Sequence, residues 1–148
     1  MRVTFLTTAV LLMSLTFASC DKEQGDTTKP TILLEGPAEG GTLKVGHHVH
    51  FEMELTDDVA LGSYKVEIHN NFDGHSHSKA TKAHDHKEPF AYNKEWNDIA
   101  GKRNAHIHHH EIEIPSDVAL GNYHFIVYCS DAAGNETQVA RNIKIAEK

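Results

Sequence analysis

Gly121-Asn-Tyr-His-Phe-Ile-Val-Tyr-Cys-Ser-Asp-Ala-Ala-Gly-Asn135 alternates with period two: Tyr123, Phe125, Val127 and Cys129 fall on one side, and His124, Ile126 and Tyr128 on the other. Successive side chains of a strand point to opposite faces, so the run predicts a strand with one buried face, closed by a tight turn at Asp131 to Asn135. The pattern recurs upstream. In His48 to Leu55 the residues Val49, Phe51, Met53 and Leu55 alternate with His48, His50, Glu52 and Glu54, and in Ser63 to His69 the residues Tyr64, Val66 and Ile68 alternate with Lys65, Glu67 and His69. Thr31 to Leu34, Ile112 with Ile114, and Val139, Ile143 and Ile145 add shorter strands, with turns rich in Gly, Pro and Asp between them. No segment carries an apolar stripe at helical spacing. About seven short strands in series predict an all-β fold, an antiparallel β-sandwich.

The histidines set the functional question. Nine of the 13 lie from His69 to His110: His69 itself and the groups His75-Ser-His77, His84-Asp-His86 and His106-Ile-His108-His109-His110. Imidazole is the commonest protein ligand for borderline metals and binds in its neutral form, which prevails at pH 7. Short His-rich tracts therefore read as metal sites, against the alternatives of a solvated polar loop or a pH-sensitive surface. Their position in mid-chain, interleaved with Asp, Glu and Ile, excludes an expression tag.

If the strands take the order A, B, C, a middle strand, E, F and G, strands C and F are antiparallel neighbours and the end of C at His69 lies beside the start of F at His124. Both side chains point away from the core, and directly opposed residues have Cβ atoms about 5 Å apart. We therefore expect His69 and His124 to form a cross-strand pair, completed to four ligands by His75 and His77, with Asp73 in reach. His106 and His108 are expected to act with His84 and His86. His110, placed by alternation on the face of Ile112 and Ile114, is left out of the ligand set, with a partly buried packing role as one reading of it. His48 and His50, on the outer face beside Glu52, read equally as a solvated face, and of the two His50 is kept as a candidate outside the expected ligand set. Trp96 is expected to cover an edge of the core. The connection from Asn70 to Ala105 exceeds ordinary loop lengths and is read as a functional His-rich loop insertion, residues 70–105. Zn²⁺ suits such ligands first. Cu²⁺ and Ni²⁺ accept all-imidazole sites too, whereas three Met and one remaining Cys are too few for a soft Cu(I) site.

The first residues have the layout of an export signal: Met1-Arg2, an apolar run from Val3 to Phe17, then small residues before Cys20. The run is too short for a comfortable membrane span. Phe17-Ala18-Ser19-Cys20 resembles a lipoprotein lipobox, with Phe where Leu is usual, so residues 1–19 are expected to be a lipoprotein signal peptide and Cys20 a lipidated first residue. Residues 21–29 lack any apolar side chain, and 20–29 read as a flexible tether to a domain spanning 30–148. Cys129 is then the one thiol left, which gives no disulfide framework. A formal charge of −7 argues against nucleic acid or an anionic lipid surface as partner and favours cations.

Asp57-Asp58 followed by Leu61-Gly-Ser-Tyr64, and Gly121-Asn-Tyr123 through Cys129-Ser-Asp131-Ala-Ala-Gly134-Asn135, resemble the repeating pattern of bacterial immunoglobulin-like domains, in which Tyr123 matches a tyrosine corner. Together with the lipobox, the run from Ile68 to His77 and the run from His110 to Pro115 are similar to a family of bacterial lipoproteins classed as a domain of unknown function, over residues 30–146. The resemblance implies an immunoglobulin-like sandwich and no particular activity. There is no Gly-x-Ser-x-Gly, phosphate-cradling loop or His-Glu-x-x-His, so a non-enzymatic role is expected, with a hydrolytic zinc as the enzymatic alternative. The expected role is an envelope lipoprotein on the outer membrane, facing the periplasm or the exterior, that binds a divalent metal ion for acquisition, storage or delivery, with an envelope transporter as its protein partner. The alternative is an adhesion or complex-forming module without a metal role. The amino terminus makes one prediction: wild-type protein fractionates with membranes, Cys20→Ala moves it to the soluble fraction, and a soluble wild type with a free amino terminus would refute the lipid anchor.

Overall fold

A computed structural model describes residues 25–72 and 87–147. Ten strands follow one another: β1 Thr31–Gly36, β2 Thr42–Lys44, β3 His47–His48, β4 Phe51–Thr56, β5 Leu61–Asn70, β6 Tyr92–Trp96, β7 Asn104–His109, β8 Glu113–Ile114, β9 Gly121–Asp131 and β10 Glu136–Ala146. They form a three-stranded sheet β1-β4-β7, a five-stranded sheet β2-β10-β9-β5-β6 and a small β3-β8 pair. The two larger sheets pack face to face as a sandwich. Every pairing is antiparallel except the short one between β10 and β2, which is parallel and departs from the wholly antiparallel expectation.

Alternation explains the layers. Phe51, Met53 and Leu55 of β4 and Ile107 of β7 are buried against Tyr64, Val66 and Ile68 of β5 and Tyr123, Phe125, Val127 and Cys129 of β9. The Phe51 ring lies 5.8 Å from Phe125 and 6.4 Å from Tyr64, so these three join the sheets. Burying a side chain of this size is worth about 1.5–3 kcal/mol, whereas an exposed ion pair contributes about 0–1 kcal/mol. The apolar residues therefore decide which face of each strand turns inward, and the histidines take what is left.

Three features refine the sequence reading. The connection after Asn70 is not loop throughout, because β6 pairs with β5 from Tyr64↔Trp96 to Ile68↔Tyr92 and extends the sheet within the expected 70–105 insertion. Trp96 stacks on Tyr64 at 4.9 Å with the rings 9° from parallel, over the edge of the core as expected. The expected tether is partly docked: Thr28 Oγ1 donates to Asp58 Oδ2 at 3.2 Å, and Asn135 Nδ2 donates to the Asp26 carbonyl at 3.1 Å. Asp131 organises this end of the sandwich by accepting from the Asn135 backbone and side chain at 2.8 and 2.7 Å. Burial opposes its ionisation, but these and neighbouring backbone hydrogen bonds outweigh it and hold the carboxyl below its usual range.

Tyr123 makes the tyrosine-corner contact. Its hydroxyl donates to the Ala119 carbonyl at 2.6 Å and accepts from the Phe90 amide at 3.1 Å, tying two loops to β9 inside the core. Tyr123→Phe leaves a buried donor and a buried acceptor unpaired, and urea denaturation should report a loss of about 1–3 kcal/mol. Cys129 is fully buried and unpaired; burial, with Asp57 and Asp131 nearby, pushes its thiol up to about 12. In a Cys20→Ala chain, a thiol reagent at pH 8 should label nothing in the native state and one cysteine after unfolding. Labelling of the native protein would contradict the buried assignment.

Candidate metal centre

The antiparallel register of β4 and β7 builds the site. Phe51 pairs with His109, Glu52 with His108, Met53 with Ile107 and Glu54 with His106. With Phe51, Met53 and Ile107 inward, Glu52 of β4 and His50 just before it, and His106 and His108 of β7 and His110 just after it, face solvent. The rings of His50, His108 and His110 form a nearly equilateral triangle, with centroids 5.0, 5.2 and 5.3 Å apart. One nitrogen from each lies within 4.8 Å of the others.

Glu52 aims the site. Its Oε2 accepts from His50 Nε2 at 3.1 Å and its Oε1 from His106 Nε2 at 3.2 Å. These bonds, from His106 first and His50 second, hold the Glu52 carboxyl below its usual range. A carboxylate only accepts, so neutral His50 carries its proton on Nε2 and turns the Nδ1 lone pair toward His110, whose Nε2 is 3.2 Å away. Two imidazole nitrogens bound to one tetrahedral ion at about 2.0–2.1 Å stand about 3.3 Å apart. The donor set therefore fits a borderline divalent ion: three imidazoles and an orienting carboxylate, open to solvent at His50, whose side chain is 56 % exposed. His50 also lines a cleft of about 470 Å³ with Pro37, Lys44 and His47, which leaves one side of the triad open to small solutes.

His109 supports the triad from behind. Its ring packs against Phe51 at 4.9 Å and Trp96 at 5.1 Å, and burial lowers its pKa, favouring the neutral form. Glu111 straps the same edge, taking hydrogen bonds from Lys94 at 2.6 Å and Trp96 Nε1 at 3.2 Å.

The partly buried histidine is therefore His109, and the packing reading of His110 is corrected. Unbroken alternation from His106 to Ile114 places His110 on the face of Ile114, but the chain gains a residue in between. Phe51 pairs with His109 and His48 with Glu113, so three steps on one side match four on the other. An extra residue reverses which face is inward. Ile112 and Ile114 are buried, but His106, His108 and His110 are not on their side. His106 and His108 face solvent as candidates, His106 on Glu52 and His108 in the triad, joined there by His50 and by His110. A pairing of the His106 to His110 run with His48 to Glu52 was the signal in the sequence, but only the register reveals it.

His69 and His124 are direct cross-strand partners in β5 and β9, with His124 Nδ1 3.4 Å from His69 Nε2. They lie on the outer face of the other sheet, apart from the triad. Asp73, His75, His77, His84 and His86, like Cys20, lie outside the described residues. A second trio among the described residues, Asp26, Asp57 and Asp131, converges at the far end of β4; it offers oxygens only.

A family model described as "Domain of unknown function (DUF4625)" matches residues 18–146. No curated protein matches the chain.

Proposed function

The chain belongs to the DUF4625 family, and we propose that this member binds a divalent transition ion, Zn²⁺ first, on the outer face of β4 and β7 through His50, His108 and His110. The observation that carries the reading is His50 held between Glu52 and His110. An imidazole on a solvated surface has no need of a partner that fixes its tautomer; a metal-ligating imidazole almost always has one. Nitrogen donors alone suit zinc, copper and nickel and not calcium or magnesium.

Among the described residues the site has three ligands rather than four, which leaves a coordination position to solvent or to an incoming ligand. That arrangement favours exchange over permanent structural zinc. Combined with the lipobox-like Phe17-Ala18-Ser19-Cys20, it supports a lipid-anchored envelope protein that acquires, stores or hands on metal, with an envelope transporter as the receiving partner.

Calorimetric titration of Zn²⁺ into chelator-treated protein tests this. At pH 7.5 we expect a saturable site that His50→Ala/His108→Ala removes and Glu52→Gln weakens about 10- to 100-fold, with circular dichroism unchanged in each variant. At pH 5.5 protons compete for the same nitrogens and binding should weaken, since imidazole titrates near 6.5. Binding unaltered by the double substitution would remove the triad from the account, and a protein that takes up no metal at all would favour the adhesion-module reading.

A further inference from the structure

The arrangement around His50 is repeated on the opposite sheet with different residues. In β5, Glu67 and His69 are two apart and therefore on one side, and Glu67 Oε1 accepts from His69 Nδ1 at 3.1 Å. That bond leaves His69 Nε2 as the free lone pair. It points to His124 Nδ1, 3.4 Å away across the β5–β9 ladder, with the two rings nearly perpendicular at 88°. Glu67 is itself steadied by Tyr128, whose hydroxyl is 3.5 Å from Oε2.

We propose that His69 and His124, oriented by Glu67, form a second binding site for a divalent imidazole-preferring ion, separate from the triad and independent of it. The reasons are chemical. A spacing of 3.4 Å is within about 0.1 Å of the separation that one tetrahedral ion at 2.0–2.1 Å imposes on two nitrogens. In the metal-free pair the neutral rings share a proton, donated by His124 Nδ1 to His69 Nε2. An ion takes the place of that proton, and His124 adopts its other tautomer with Nε2–H toward solvent. Side-chain adjustment is small because His69 is 40 % exposed, while the backbone of both residues is fixed by the ladder. Among the described residues this site has two ligands against the triad's three, which on that count makes it the weaker and more exchangeable of the two. A chain with both sites carries ions on both outer faces of the sandwich, which suits a store or a carrier better than a protein with one structural ion.

Long-range ¹H–¹⁵N spectra of the histidine rings, recorded on the Cys20→Ala chain during Zn²⁺ titration, read each site directly. The expected result is a saturable shift of His69 Nε2 and His124 Nδ1, with His124 changing tautomer, both in the otherwise unaltered triad and in the His50→Ala/His108→Ala background. His124→Ala should abolish the shift at His69. Glu67→Gln should leave the sheet's circular dichroism intact and raise the zinc concentration needed for half-saturation about 10- to 100-fold. Rings of His69 and His124 that stay unshifted while those of His50, His108 and His110 respond would overturn the second site and leave the proposed function standing. A shift at His69 that persists in His124→Ala, or that Glu67→Gln leaves unchanged, would equally overturn it. The converse pattern, with His69 and His124 responding and the triad silent, would uphold this site and refute the triad.

Discussion

The contact between Phe51 and Phe125 is the point on which both faces of the molecule depend. These rings meet at 5.8 Å from opposite sheets, and both are fully buried. Once Phe51 is inward, period two sends His50 and Glu52 outward, and its pairing with His109 sends His108 and His110 outward beside them. Once Phe125 is inward, His124 faces the other way into solvent, and the pairing of Ile68 with Phe125 brings His69 to stand opposite it. Neither histidine group has to be held in place by its own interactions. The hydrophobic core fixes the backbone, and the backbone fixes the spacing of the imidazoles.

What separates these histidines from a merely polar surface is the carboxylate behind them. Glu52 and Glu67 each accept from one nitrogen of a ring whose other nitrogen faces a second imidazole. In exposed settings such bonds add little to stability, because Coulomb energy is weak in water and ordering two side chains costs entropy. Their effect is directional, settling which nitrogen bears the proton and where the lone pair points. If a metal ion binds, it would take the place of the proton the two rings share, on a backbone that the ladder already holds.

The same rigidity explains His109. It lies between ligand candidates in sequence yet serves as a wall, packed between Phe51 and Trp96. Four histidines among five residues do two unrelated jobs, because strand alternation assigns them to opposite sides. Composition cannot make that distinction.

The sequence by itself determined the sandwich, the inner faces of β4, β5 and β9, the tyrosine corner at Tyr123 and the pairing of His69 with His124. The inner faces follow from unbroken alternation within one strand, while the tyrosine corner and the strand order that pairs His69 with His124 follow from the resemblance to immunoglobulin-like domains; burial of large apolar side chains is strong enough to override anything the surface prefers. It also supplied the nitrogen-rich ligand set, because composition alone says which metals are chemically suited. Tertiary structure alone decided that His50 and His110 meet, that His109 is inward, and that β6 occupies part of the connection after Asn70. The reason is register. One additional residue between His109 and Glu113, opposite the stretch from His48 to Phe51, reverses the facing of everything beyond it. An insertion of that kind leaves no mark on the local pattern and appears only when the partner strand is laid alongside.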